Sequence, residues 1–177
     1  ANGIDTAQLS ARVVDEFGNL VPDGTMVGFT TTAGSLIYGH VEAESAEATR
    51  AGSWTTVAHG SASGGEYVET STPGDNVRWE FEGQAVSLRY GAAAGLGRIQ
   101  VEVDGNTRVI DTDNGGAFAW IEEVIASGLN PLVPHTISVF ALDSEAVRLD
   151  SLRSGAVTLN GRAVGILTAA TEPGIAK

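Results

Sequence analysis

From Asn76 to Phe81 the chain alternates strictly, with Val77, Trp79 and Phe81 apolar and Asn76, Arg78 and Glu80 polar between them. A two-residue period sends successive side chains to opposite faces, so this segment reads as a strand with one face buried. The same rule sets Val86, Leu88 and Tyr90 against Ser87 and Arg89, and Ile99, Val101 and Val103 against Gln100, Glu102 and Asp104. It returns over 136–142, where Ile137, Val139 and Ala141 share a side. Turn formers separate these runs: Asp15 to Asn19, Pro22-Asp23-Gly24, Thr72-Pro73-Gly74-Asp75, Glu82-Gly83 and Asp104-Gly105-Asn106. Short strands punctuated in this way predict an all-β protein, a sandwich or a barrel. Only 121–129 has a helical alternative, and its β-branched residues and two-residue period predict a strand followed by a loop.

Composition narrows the function classes. With 177 residues, 42% of them apolar, the chain has enough material for one or two cores without covalent staples. It has no cysteine, which excludes disulfides and thiolate metal sites. The net charge is −12, with ten Lys and Arg in no cluster. Such a surface repels a phosphate backbone, so nucleic acid is excluded as a partner and divalent cations remain. No apolar run approaches the ~18 residues of a membrane span, so no membrane insertion is expected.

Near the N-terminus, a strand ending in Val13-Val14-Asp15 leads to Gly18-Asn19-Leu20-Val21-Pro22, then Val27-Gly28-Phe29 and Gly34-Ser35-Leu36. Near the C-terminus stand Gly161-Arg162-Ala163, Leu167-Thr168-Ala169 and Pro173-Gly174-Ile175-Ala176. Taken together, the two sets resemble one bacterial immunoglobulin-like repeat of the invasin and intimin type, in which the second set follows shortly after the first. The resemblance implies a discontinuous Ig-like host domain, 1–37 plus 154–177, interrupted by a guest at 38–153. A guest whose ends lie close together enters an exposed loop without disturbing its host. The host parts fall short of the ~100 residues of an Ig sandwich, and the family's first and last strands are missing. The expectation is a chain cut from a longer protein, or one that completes its sheet with strands from neighbouring copies or adjacent repeats.

The guest carries Val41-Glu42-Ala43-Glu44-Ser45, Ala62-Ser63-Gly64-Gly65-Glu66-Tyr67-Val68, Val77 to Phe81, Val86 to Tyr90 and Ile99 to Gly105. Trp120, Pro134 to Val139 and Val147 to Leu152 complete the order, which resembles galactose-binding-like β-jelly-rolls, especially carbohydrate-binding modules of families 6 and 35. The resemblance implies a glycan partner held by aromatic stacking on sugar C–H faces. Trp120, which follows the loop Asn114-Gly115-Gly116, takes the place of the stacking tryptophan. Tyr67 and Tyr90 would flank it, Asn114 would hydrogen-bond hydroxyls, and Asp143 or Glu145 would contribute from a neighbouring loop. A core role for Trp120 is the competing assignment, and Trp54, Trp79 and Phe81 read as core. The resemblance also implies a structural calcium on Glu42, Glu44 and Asp150, since hard cations take several oxygens at once. Glu42 and Glu44 share a strand face; the alternative is a solvated pair with an unrelated aspartate. The loop Asp111 to Gly116 with Glu122 mimics a calcium loop only superficially, because Gly115 stands at its fifth position.

No catalytic set emerges. Ser61 and Ser63 lie near His59 in a Gly-Ser turn without the order of a nucleophile elbow. His40, His59 and His135 have no zinc spacing, and His135 is expected to be a partly exposed structural residue. Glu122 and Glu123 are adjacent on a strand and point to opposite faces. The sequence therefore predicts a non-catalytic, extracellular or cell-surface bacterial module in which an Ig-like stalk presents a carbohydrate-binding jelly-roll for adhesion. The alternatives are a filament or surface-layer subunit with no sugar ligand, and a fragment of a glycan-active enzyme whose catalytic domain lies elsewhere.

Overall fold

A computed structural model describes residues 6–29, 35–36, 39–158 and 160–168. In chain order the strands are β1 (Thr6–Arg12), β2 (Met26–Val27), β3 (Ser35–Leu36), β4 (His40–Glu42), β5 (Thr49–Ala51), β6 (Thr55–Ala58), β7 (Glu66–Thr70) and β8 (Asn76–Phe81). They continue as β9 (Ala85–Ala92), β10 (Arg98–Val103), β11 (Asn106–Asp111), β12 (Ala119–Ser127), β13 (His135–Ala141), β14 (Val147–Val157) and β15 (Arg162–Thr168). Among the described residues there is no α-helix, only a short 3-10 turn at Ser63–Gly65. The protein is all-β, as its alternation predicts.

Two antiparallel sheets pack face to face. One has the order β11-β10-β13-β8-β5, and the other β12-β9-β14-β7-β6, with β4 alongside β14. The alternating apolar residues meet between them: Val77, Trp79, Ile99, Val101, Ile137 and Val139 from the first sheet, and Val68, Val86, Leu88, Leu149 and Leu152 from the second, all fully buried. Stacked sheets lie about 10 Å apart, so one layer of interdigitated side chains fills the gap. Asp104 and Gly105, at φ 49° and 84°, form the two-residue loop of the β10–β11 hairpin, where a Gly is needed for the backbone twist.

A third sheet, β1-β15-β3, joins the chain's two ends. Strand β1 runs antiparallel to β15 from the Thr6 and Thr168 pair to the Arg12 and Arg162 pair. Strand β14 links this region to the sandwich: beyond Gly155 it pairs with β2, Ala156 opposite Val27 and Val157 opposite Met26. It therefore runs unbroken across 153/154, the boundary expected between host and guest. Buried Thr158 fastens the junction, its hydroxyl bonding the Pro22 carbonyl at 2.7 Å and accepting from the Thr25 amide at 3.1 Å.

Two local expectations meet the structure differently. The segment 121–129 is strand then loop, with β12 ending at Ser127. His135, expected to be partly exposed, is instead buried. Its two ring nitrogens meet Asp104 Oδ2 at 2.6 Å and the Asn130 carbonyl at 2.8 Å, and Phe81 packs against the ring at 5.4 Å between centroids.

Candidate functional site

The outward face of the β12-β9-β14-β7 sheet carries the site. Trp120 lies opposite Gly91, and Glu122 opposite Arg89. Gly91 is required because a Cβ there would stand 2.7 Å from the Phe118 ring and 3.1 Å from Arg148 Cβ. Its absence lets Phe118 lie across the strand. Four rings gather as a result. Trp120 is 5.0 Å from Phe118, 5.3 Å from Tyr67 and 5.9 Å from His59, with interplanar angles of 83°, 68° and 83°. His59 also meets Phe118 at 5.4 Å and Tyr67 at 6.0 Å. Such edge-to-face contacts place the positive rim of one ring on the negative face of the next, which fixes the cluster's geometry.

The Gly-Ser loop 59–65 folds onto this face. Trp120 Nε1 donates to Ser61 Oγ at 3.2 Å, Ser61 Oγ meets His59 Nδ1 at 3.1 Å, and the Ser61 carbonyl accepts from Arg89 Nη2 at 3.0 Å. Arginines complete the surface. The Arg89 guanidinium stands 5.3 Å from the Trp120 ring centre, and that of Arg148 stands 5.8 Å from Tyr67 and 5.3 Å from Phe118. Each guanidinium also meets a carboxylate: Arg89 with Asp150, Arg148 with Glu69 at 2.6 Å, and Arg153 with Glu122 at 3.3 Å.

Of the expected ligand-binding residues, the structure brings Trp120 and Tyr67 together on the outer face, where Trp120 is half-buried and Tyr67, 5% exposed, lies beneath the cluster as its support. Tyr90 is a correction: it alternates with Arg89 and Gly91, so it faces the interior, is 5% exposed and donates to Glu123 Oε2 at 2.9 Å. Burial, reinforced by that carboxylate, pushes the Tyr90 phenol up to about 12. The Asn114 amide closes its own loop, accepting from the Gly116 amide at 2.8 Å and donating to the Ala117 carbonyl at 3.3 Å. Asp143 is gripped by Arg98 through Nε at 2.9 Å and Nη2 at 2.8 Å, which lowers it to about 2. Exposed Glu145 flanks Gly97 in that loop region. Sequence reasoning missed His59, Ser61, Phe118, Arg89 and Arg148. Only the loop's richness in Gly and Ser hinted at a segment able to lie flat on a sheet.

The expected calcium ligands converge in part. Glu42 Oε1 and Glu44 Oε1 both stand beside Gly64, 3.3 Å and 3.4 Å from where its Cβ would be. Glu42 Oε2 and Glu44 Oε2 are buried without a hydrogen-bond partner. Burial first, then the charges of Glu42, Asp150 and Glu66, raise Glu44 above the usual carboxylate range. Asp150 occupies the extra position of a bulge in β14 and is fully buried. It accepts from the Ser63 amide at 3.0 Å and pairs with Arg89. Among the described residues no group of three or more His, Cys, Asp or Glu stands ready to hold an ion. Glu42 and Glu44 each leave one carboxylate oxygen without a partner, whereas Asp150 is turned to a guanidinium, so the three expected ligands do not form one set.

No protein-family model matches the sequence, and no curated protein matches it significantly. Among solved structures it is similar to a two-domain esterase active on acetylated mannans, at 17% identity and TM-score 0.53, covering 73% of this chain and 38% of that one. It is also similar to a family two carbohydrate esterase from Cellvibrio japonicus, at 14% identity and TM-score 0.50, covering 78% of this chain and 37% of that one. A family 35 carbohydrate-binding module from an environmental isolate aligns at 18% identity and TM-score 0.48, covering 75% of this chain and 98% of the module. The chain spans between 29% and 40% of the length of the enzymes it resembles. At these identities the likeness defines the class of fold, a β-sandwich of the jelly-roll kind.

Proposed function

We propose that this chain is a non-catalytic glycan-recognition module whose ligand sits on the Trp120 patch. The observation that carries this reading is the cluster of four rings on the outer sheet face, walled by Ser61 and two arginines. Such a surface offers an apolar platform with convergent hydrogen-bond donors and acceptors, which is what a sugar ring needs. The jelly-roll fold is compatible with this role. Trp120→Ala should abolish binding on a glycan array, a loss of at least about tenfold if the ring supplies ~1.5 kcal/mol or more. Binding that survives the substitution would sink the reading.

Among the described residues, the one serine, histidine and carboxylate contact near the patch does not form a nucleophile–base relay, which favours a non-catalytic role. His40 Nε2 meets both Ser63 Oγ, at 3.2 Å, and Glu42 Oε1, at 3.4 Å, so serine and carboxylate compete for one nitrogen instead of bracketing the ring. Calcium, in this reading, is held by Glu42 and Glu44, with Asp150 joining when Arg89 releases it. It would supply charge compensation and rigidity to the loop 59–65. The finer placement is an Ig-like stalk, 1–37 plus 154–177, presenting a guest at 38–153 on a bacterial surface for adhesion. The β1–β15 pairing supports it. Among the described residues no helix is long and apolar enough to cross a membrane.

A filament or surface-layer subunit is the second reading. It is favoured by Val14, Phe17 and Leu20, which are 38%, 81% and 50% exposed around one turn. Concentration-dependent polymers without any glycan signal would select it.

A further inference from the structure

We propose that the cleft between β2 and the outer face of the sandwich is a second sugar subsite, so that one neutral oligosaccharide runs from Trp120 into it. The proposal rests on the reading of the Trp120 patch as a glycan site and extends it to residues outside the jelly-roll. The cleft holds about 390 Å³, within the ~300–1,000 Å³ range of small-ligand pockets. Met26 and Val27 line one side, and His40, Glu122, Arg153 and Ser154 the other. Gly155 lets β2 lie close against β14 at the edge of this cleft, since a Cβ there would press within 3.2 Å of the Val27 carbonyl and 3.3 Å of Met26 Cε. The far side is held by bonds from the Gly39 amide to Ser154 Oγ at 3.0 Å and from the Ser154 amide to the Gly39 carbonyl at 2.9 Å.

Continuity with the first site follows from strand geometry. Glu122 is two residues beyond Trp120 on the same face of β12, roughly 6.6 Å along the strand. It accepts from Ser87 Oγ at 3.2 Å and reaches Arg153 at 3.3 Å, leaving both members of the pair part-exposed. A chain leaving the Trp120 platform therefore meets a polar rung and then the apolar wall of Met26 and Val27. The ligand class follows from charge. The three guanidiniums on this path, Arg89, Arg148 and Arg153, already face carboxylates, and the whole chain carries −12. An acidic glycan gains little locally and is repelled at long range. The hydroxyls of a neutral sugar exploit such pairs as joint donors and acceptors without breaking them.

Calorimetry with neutral manno-, gluco- and galacto-oligosaccharides, from monosaccharide to hexasaccharide, tests this, with uronate-containing oligosaccharides as the charged comparison. Affinity should rise about tenfold as the chain outgrows the Trp120 patch. Arg153→Ala and Met26→Ser should each return the longer chains to the affinity of the shorter ones, and Trp120→Ala should remove both. Affinity independent of chain length, or long-chain binding untouched by both cleft variants, overturns the subsite while leaving the Trp120 patch standing. Preference for the uronates overturns neutrality. Failure of every neutral sugar to bind, or binding indifferent to Trp120→Ala, overturns the glycan reading and the subsite with it.

Discussion

Gly91 is the residue on which the aromatic cluster depends. An alanine there meets the Phe118 ring, whose near edge is a side chain able to swing away, and Arg148 Cβ, which is fixed to its strand. Gly91→Ala should therefore expel Phe118 and cost about 1–3 kcal/mol of stability, as overpacking does. Loss of the near-UV signal of the Trp120 cluster with the far-UV strand signal retained would confirm it; unchanged near-UV and melting curves would refute it. Glu44 makes a second prediction at this scale. Its folded pKa lies above the ordinary 4.5, so between those two values the folded state holds more protons than the unfolded one. The cost of the charged, crowded carboxylate is absent below 4.5 and complete above the folded pKa, so stability falls as pH rises through that window. Glu44→Gln should remove the slope. Calcium at neutral pH should raise the melting temperature of the native protein and leave that of Glu44→Gln unmoved; equal melting with calcium or a chelator argues against the cation.

At the scale of elements, the turn before β11 and the loop before β13 are locked by one side chain. Both nitrogens of His135 face acceptors, Asp104 and the Asn130 carbonyl, and a neutral imidazole donates only once, so the geometry selects the imidazolium. Burial alone would lower His135, but the Asn130 carbonyl and then Asp104 outweigh it and raise the pKa above 6.5. Asp104 is lowered below 3.8: partial burial pushes it up, and the Thr136 amide and His135 more than reverse this. The His135 contribution is complete below 6.5 and lost as pH rises through its folded pKa. That of Asp104 is complete above 3.8 and lost as pH falls through its own. Urea unfolding across pH should show both limbs, and Asp104→Asn should flatten them; an unchanged profile would contradict the lock. The lock also shows what the sequence makes legible. Strict alternation in β8, β9 and β10 announced the sandwich and its core, because period two is a property of neighbours along the chain. That His135 is buried, or that loop 59–65 lies on β9 and β14, depends on contacts far apart in sequence. The order of motifs brings Trp120 and Tyr67 to one region, whereas the place of Phe118 and Arg148 depends on Gly91 standing opposite Trp120, a contact between strands. The alternation of Tyr90 with Arg89 by itself places the phenol inside.

At the scale of the whole molecule, the arrangement raises the question of whether the terminal sheet and the sandwich unfold together. Among the described residues, the sandwich buries Trp79, Leu88, Ile99, Ile137, Leu149 and Leu152 completely, while the turn region of 14–20 leaves Phe17 and Leu20 in solvent. Cooperative units follow buried contact, so the β1–β15 pairing should open at lower free energy than β9 or β14. Thr158 is where the two are fastened, because its hydroxyl satisfies both Pro22 and Thr25 from the end of β14. Thr158→Val keeps the shape and removes both of these bonds; the Pro22 carbonyl retains the Thr25 hydroxyl at 2.8 Å, so the cost is that of lost hydrogen bonds, about 0.5–1.5 kcal/mol. If that cost falls on the junction, native-state hydrogen exchange should speed up for the amides of β1 and β15 while β9 and β13 keep their protection. Uniform loss of protection would instead mean one cooperative unit, and β14 would then be the spine of a single domain instead of a bridge between a stalk and its guest.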